Sequence, residues 1–132
     1  MDRYTSCVNA IGSSIPRFYL FKGKTQLKNY IQNCEPGACM ETHPHAWMTK
    51  ELFLNWLCHF VASVLGGVSP ENRHLLILDG HGSHMALQTI EEAKIFGIDL
   101  LHCQLIPLTN CNPLQPLDVS VFGPFKNYFR IE

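Results

Sequence analysis

The chain has no basic excess: ten Lys and Arg stand against eleven Asp and Glu, a formal net charge of −1 at pH 7. A domain that holds nucleic acid through charge alone normally carries such an excess. Any polyanion must therefore be held locally, by a metal ion or by another part of a longer chain. No stretch approaches the roughly 20 consecutive apolar residues of a membrane span. The opening "MDRYTSCVNA" also lacks the charged-then-apolar layout of a secretion signal, so a soluble, intracellular chain without a membrane partner is expected. Neither an internal repeat nor a low-complexity linker divides the sequence. Its 132 residues, 46% of them hydrophobic, supply material for one core, and a single domain over 1–132 is expected.

Two familiar site patterns are missing as well. The stretch "CEPGACMETHPH" places Cys34, Cys39, His43 and His45 near one another, but its spacing departs from that of a zinc knuckle. Without a secretion signal, the six cysteines (Cys7, Cys34, Cys39, Cys58, Cys103 and Cys111) are expected as reduced thiols rather than a disulfide framework. Ser83 in "HGSHM" has a histidine beside it but lacks the GxSxG turn that exposes a hydrolase nucleophile.

What is present has α/β periodicity. "YTSCVNAIGSSIPRFYLFKGK" predicts a hairpin, with strands at Tyr4–Ala10 and Arg17–Phe21 and a turn at Gly12, Ser13 and Ser14. "TQLKNYIQNCEPGACMETHPHAW" has mixed signals and two prolines, and predicts a surface excursion with at most a short helix. From "MTKELFLNWLCHFVASVLGG" a helix is expected, capped by Thr49, with Glu51 in its first turn and Gly66-Gly67 at its end. Phe53, Leu57, Phe60, Val61 and Val64 share one of its faces.

A strand at Leu75–Asp79 follows, then a helix in "MALQTIEEAKIFG" stopped by Gly97, and a strand in "IDLLHCQLIP" ending at Pro107. Helical structure is predicted to resume near Asp118, interrupted by Gly123-Pro124. A hairpin feeding alternating helices and strands implies an α/β fold with a mixed sheet and helices packed on its faces.

The candidate chemistry gathers at "HLLILDGHGSH". Leu75, Leu76, Ile77 and Leu78 run without alternation, as in a central strand covered on both faces. Asp79 then ends the run, where sheets of this class bind ligands. Desolvating a carboxylate beside a core is costly unless something positive meets it. The second acidic candidate is Asp118 in "LQPLDVSVFGPFK", presented by an approach that Pro116 stiffens.

One helix and one strand lie between Asp79 and Asp118, enough to return both to the same sheet edge. Two converging aspartates make a hard oxygen site suited to Mg²⁺ or Mn²⁺. Taken singly, an aspartate after a strand or at a helix start commonly has no catalytic duty; the pairing supports the inference, and motif resemblance must decide it. His81 and His84 flank the turn after Asp79, placed to orient a carboxylate or touch a phosphate. Lys126 and Arg130 share a late helical face and are the candidate nucleic-acid contacts.

Three blocks, "NAIGSSIPRFYLFKGK", "LLILDGHGSH" and "LQPLDVSVFGPFKNYF", resemble successive blocks of the DDE superfamily endonucleases of the pogo, Tigger and jerky group of transposases and transposase-derived proteins. The resemblance implies a ribonuclease-H-like fold with helices on both faces of a mixed sheet. It also implies three carboxylates holding two divalent metals for DNA strand cleavage and transfer, and action in the nucleus. Asp79 matches the second carboxylate and Asp118 the third.

The family's first carboxylate lies in an "MDE"-like block for which this sequence has no counterpart, and Asp2 is not that residue. The expectation is a later part of a catalytic domain, with the first strand, the first carboxylate and an N-terminal DNA-recognition region supplied elsewhere. Losing that strand exposes a sheet edge and predicts self-association. Thr109 and Asn112 stand where relatives commonly have histidines. An inactive relic, or a domesticated domain kept for binding DNA or protein, is the alternative these departures imply.

Overall fold

A computed structural model describes residues 3–25, 28–79 and 86–103, with side chains at all of these except 28, 79 and 103. Strand β1 (Arg3–Thr5) runs antiparallel to β2 (Phe18–Lys22), with Tyr4 opposite Tyr19. The hairpin therefore forms, but its first strand is shorter than the expected Tyr4–Ala10, and beyond Thr5 only the Val8–Ser14 bridge continues the pairing. Asn9 explains the interruption. Its side-chain oxygen accepts from the Ser13 amide at 2.8 Å while its carbonyl accepts from Gly12 at 3.0 Å. Such local bonds compete with a ladder.

The predicted surface excursion holds more order than expected. After a short 3₁₀ turn at Lys28–Ile31 comes β3 (Cys39–His43), parallel to β2 from Phe18 opposite Cys39 to Lys22 opposite His43. The sheet runs β1-β2-β3 and mixes antiparallel with parallel pairing. Nothing apolar alternates in Cys-Met-Glu-Thr-His, and none of the five residues is fully buried. Such a strand is held by its ladder with β2 rather than by core packing, so periodicity does not reveal it.

Helix α1 (Lys50–Ser63) starts where its cap requires, with Thr49 Oγ1 accepting from the Leu52 amide at 3.3 Å. Thr49→Ala is expected to cost about 1 kcal/mol, measurable as a lowered denaturation midpoint with unchanged slope. The buried face of α1 is wider than the predicted stripe. Leu52, Trp56 and His59 join Phe53, Leu57 and Phe60, whereas Val61 and Val64 are only partly covered.

The cause is that α1 packs against two sheets. Leu52 meets Leu20 of β2, and Phe53, Trp56, Leu57 and Phe60 share a cluster with Phe18 of β2 and with the second sheet. Fully burying each Leu or Phe in that cluster contributes about 1.5–3 kcal/mol. His59 Nε2–H donates to the Pro16 carbonyl at 2.7 Å, which ties the helix to the approach of β2.

The second sheet pairs β4 (His74–Asp79) in parallel with β5 (Ile98–Cys103), joined through helix α2 (Leu87–Phe96). The predicted extension of β5 to Pro107 and the helix near Asp118 lie outside the described residues. Gly97 closes α2 in the left-handed conformation, φ 94° and ψ 25°. Arg73 clamps the start of this sheet, its Nε and Nη2 donating to the Asp99 carboxylate at 2.9 and 2.6 Å. The Arg73 bond holds the Asp99 carboxyl below its ordinary pKa.

Two expectations need correcting for the described residues. The strands form a three-stranded and a two-stranded sheet that share α1 as their common packing partner, rather than one continuous sheet. Coverage of β4 on both faces is not seen either. Leu76 and Ile98 enter the core with α1 and Ala93 of α2, but Leu75, Ile77 and Leu101 on the opposite face are 63%, 46% and 49% exposed. Both helices pack on one side of β4–β5.

Candidate functional site

Asp79 is the last residue of β4 and lies opposite Cys103, the last residue of β5. Five residues of strand lead to it, and the apolar inward positions Leu76 and Leu78 fix that strand on the core. The aspartate is thereby delivered to the carboxyl end of a parallel pair, the position where α/β sheets place their ligands. Helix α2 begins at Leu87, so its N-terminus is tethered to the same end of β4. Its N-cap, Ala86, makes no side-chain capping bond. The positive end of the helix dipole favours negative charge within its first turn.

The remaining predicted site residues, His81, His84, Asp118, Lys126 and Arg130, lie outside the described residues, as do Thr109 and Asn112. For Asp79 the backbone position is described and the side chain is not. Among the described residues no group of three or more His, Cys, Asp or Glu is placed to hold a metal ion. In the segment weighed for zinc, His43 Nδ1 accepts from the backbone amides of His45 and Trp47 at 3.3 and 3.4 Å. That nitrogen is occupied in shaping the turn. Cys7, Cys34, Cys39 and Cys58 are free thiols, and burial pushes the Cys7 thiol up.

A second surface went unread in the sequence. Tyr4, Tyr19, Phe21 and Tyr30 form a row on the sheet face turned away from Phe18 and Leu20, with successive ring centroids 6.3, 6.2 and 4.8 Å apart. Arg17 places its guanidinium 5.3 Å from the Tyr4 ring centroid. Glu35 accepts from the Arg17 amide at 2.8 Å and from the Tyr19 hydroxyl at 3.2 Å. The amide bond from Arg17 leads the influences that hold the Glu35 carboxyl below its ordinary pKa. The alternation in "FYLFK" was the available signal, since it sends Tyr19 and Phe21 to one face and Phe18 and Leu20 to the other.

Mixed and parallel strands, helices on their core side and an aspartate at a strand's carboxyl end define an α/β domain. The family model of the DDE superfamily endonucleases matches residues 4–132, and the chain belongs to that family. It is 32% identical over 126 residues to the "MFS-type transporter clz9" of Cochliobolus lunatus, covering 95% of this chain and 13% of that protein. It is 28% identical over 127 residues to the "Pogo transposable element with KRAB domain" of Homo sapiens, and equally to that of Mus musculus, covering 95% of this chain and 19% of each.

The chain thus spans less than a fifth of the length of these relatives. No solved structure matches it. The transporter name describes the fungal protein; among the described residues here, no helix is long and apolar enough to cross a membrane.

Proposed function

We propose that this chain forms part of a transposase-type catalytic domain with a ribonuclease-H-like fold, in which Asp79 and Asp118 hold Mg²⁺ or Mn²⁺ for cleavage and transfer of DNA strands. The observation that carries this reading is the delivery of Asp79 to the carboxyl end of β4, inside a family match that runs from 4 to 132. An all-aspartate donor set suits a hard divalent ion. Bound there, the metal supplies activation of the attacking oxygen and charge stabilisation at the leaving one.

The chain's own residues bind and orient. His81 and His84 follow Asp79 closely in the sequence and steady the carboxylate or the scissile phosphate. Lys126 and Arg130 hold the backbone phosphates, contacts that weaken as salt rises. A DNA-directed role places the protein in the nucleus. The open face carrying Leu75, Ile77 and Leu101 is the surface through which self-association would run.

Two carboxylates are fewer than the three the family uses, so the chain by itself is inactive, and catalysis belongs to a longer protein that supplies the first. Thr109 and Asn112, standing at family histidine positions, favour a second reading: a domesticated domain that binds DNA or protein without cutting. Titration calorimetry with Mn²⁺ tests the metal role directly. Weak binding is expected, and Asp79→Asn should abolish it, because even outer-shell changes cost about 10–100-fold in metal affinity. Equal binding by chain and variant would remove Asp79 from the site.

A further inference from the structure

We propose that the aromatic row on the outer face of β1–β2 is a stacking platform for unpaired bases of single-stranded DNA. The inference rests on the DNA-directed reading above but uses none of its metal ligands. The row consists of Tyr4, Tyr19, Phe21 and Tyr30. Tyr4 and Tyr30, the two ends, are 51% and 42% exposed. Soluble domains seldom leave large rings open in sequence along one face without a partner.

Charge selects the partner. From 3 to 25 the sequence contains Arg3, Arg17, Lys22 and Lys24 and no Asp or Glu, in a chain whose net charge is −1. The hairpin is thus cationic, and although register and alternation put Arg3 and Lys22 on the Leu20 face, Arg17 stays beside the rings to hold a polyanion locally. Arg17 lies on the same face as the rings, with its guanidinium against Tyr4. Among the described residues Glu35 is an acidic group on this face and engages Arg17 and Tyr19, so a phosphate arriving at Arg17 competes with that carboxylate.

Aromatic rings flanked by cations bind single strands because every base has a π-face, and the phosphates need only a nearby positive charge. A duplex keeps its bases stacked inside and offers nothing to these rings. The occupant is therefore the unpaired strand that cleavage and transfer of DNA ends expose.

The test is fluorescence anisotropy with a labelled 15-nucleotide oligothymidine, the intact chain and excess EDTA, so that failure of the metal site leaves the readout untouched. Tyr4→Leu and Tyr30→Leu keep apolar bulk and remove the ring; each is expected to weaken binding about tenfold. Arg17→Gln should weaken it and flatten its salt dependence. Matching thermal unfolding of the chain and each variant confirms that the fold persists.

Absence of binding, binding indifferent to both ring substitutions, or equal affinity for the matching duplex would overturn the assignment. So would preference for an oligouridine strand. A dimer seen by light scattering that Tyr4→Leu dissociates, without any oligonucleotide effect, would reassign the face to a second copy of the chain.

Discussion

Gly97→Ala is expected to destabilise the fold by about 3 kcal/mol or more, a large share of the about 5–15 kcal/mol that keeps a domain folded. Two independent costs combine. Gly97 closes α2 at φ 94°, where a side chain adds about 1–2 kcal/mol of strain. An added Cβ also meets the Ser69 carbonyl far inside van der Waals contact and lies 2.9 Å from the Pro70 nitrogen. These are backbone atoms, so no rotamer change relieves the overlap, and overpacking of this kind typically costs about 1–3 kcal/mol.

The site is also pinned. The Gly97 carbonyl accepts from the His74 amide at 3.0 Å, joining the end of α2 to the start of β4. Displacing Gly97 therefore disturbs the strand that carries Asp79. Urea unfolding followed by circular dichroism gives the comparison. Gly66→Ala is the informative control, because it has a similar φ of 85° with nothing within 4 Å of the added Cβ. It should lose the strain alone; equal losses at both positions would mean that the close approach at Gly97 contributes nothing.

The legible parts of the fold were those in which side chains decide the backbone. Thr49 marked the start of α1, Gly97 marked the end of α2, and the boundaries of β4 and β5 followed from apolar runs within a residue or two of their observed starts. β3 was illegible because its pairing is made by backbone groups, and any of its five side chains is as compatible with a loop. The cover expected on both faces of β4 is met on one face by the described residues. Leu75 and Ile77 carry the apolarity of covered positions without being covered by the described residues.

The site divides in the same manner. Asp79 stood out because an acidic residue closing an apolar run conflicts with its surroundings unless something binds there. Asp118 could not have been singled out that way. Its surroundings are ordinary for a helix start, and its importance came from the neighbouring "LQPL" and from family likeness. The aromatic row escaped because Tyr4, Tyr19 and Phe21 are divided between two strands, and Tyr30 arrives from a 3₁₀ turn. The observed register sets Tyr4 opposite Tyr19, and the 3₁₀ turn brings Tyr30 to Phe21.

In a longer protein that contains these residues and supplies the first carboxylate, Asp79→Asn and Asp118→Asn are each expected to lower Mg²⁺-dependent DNA strand cleavage by about 10³-fold. Asparagine keeps the shape and one oxygen but removes the negative charge that makes the position a strong metal ligand. Loss of metal-derived charge stabilisation is worth several kcal/mol, and about 4 kcal/mol corresponds to that factor. Gel-resolved nicking of a labelled duplex supplies the rates, with DNA affinity in EDTA and unfolding midpoint as controls that should not move. If both aspartates serve one metal centre, the double variant should be scarcely slower than either single one, because groups acting as a unit lose their function together. Multiplying losses would instead mean two separate roles, and cleavage within tenfold of the parent in either single variant would remove that aspartate from the reaction.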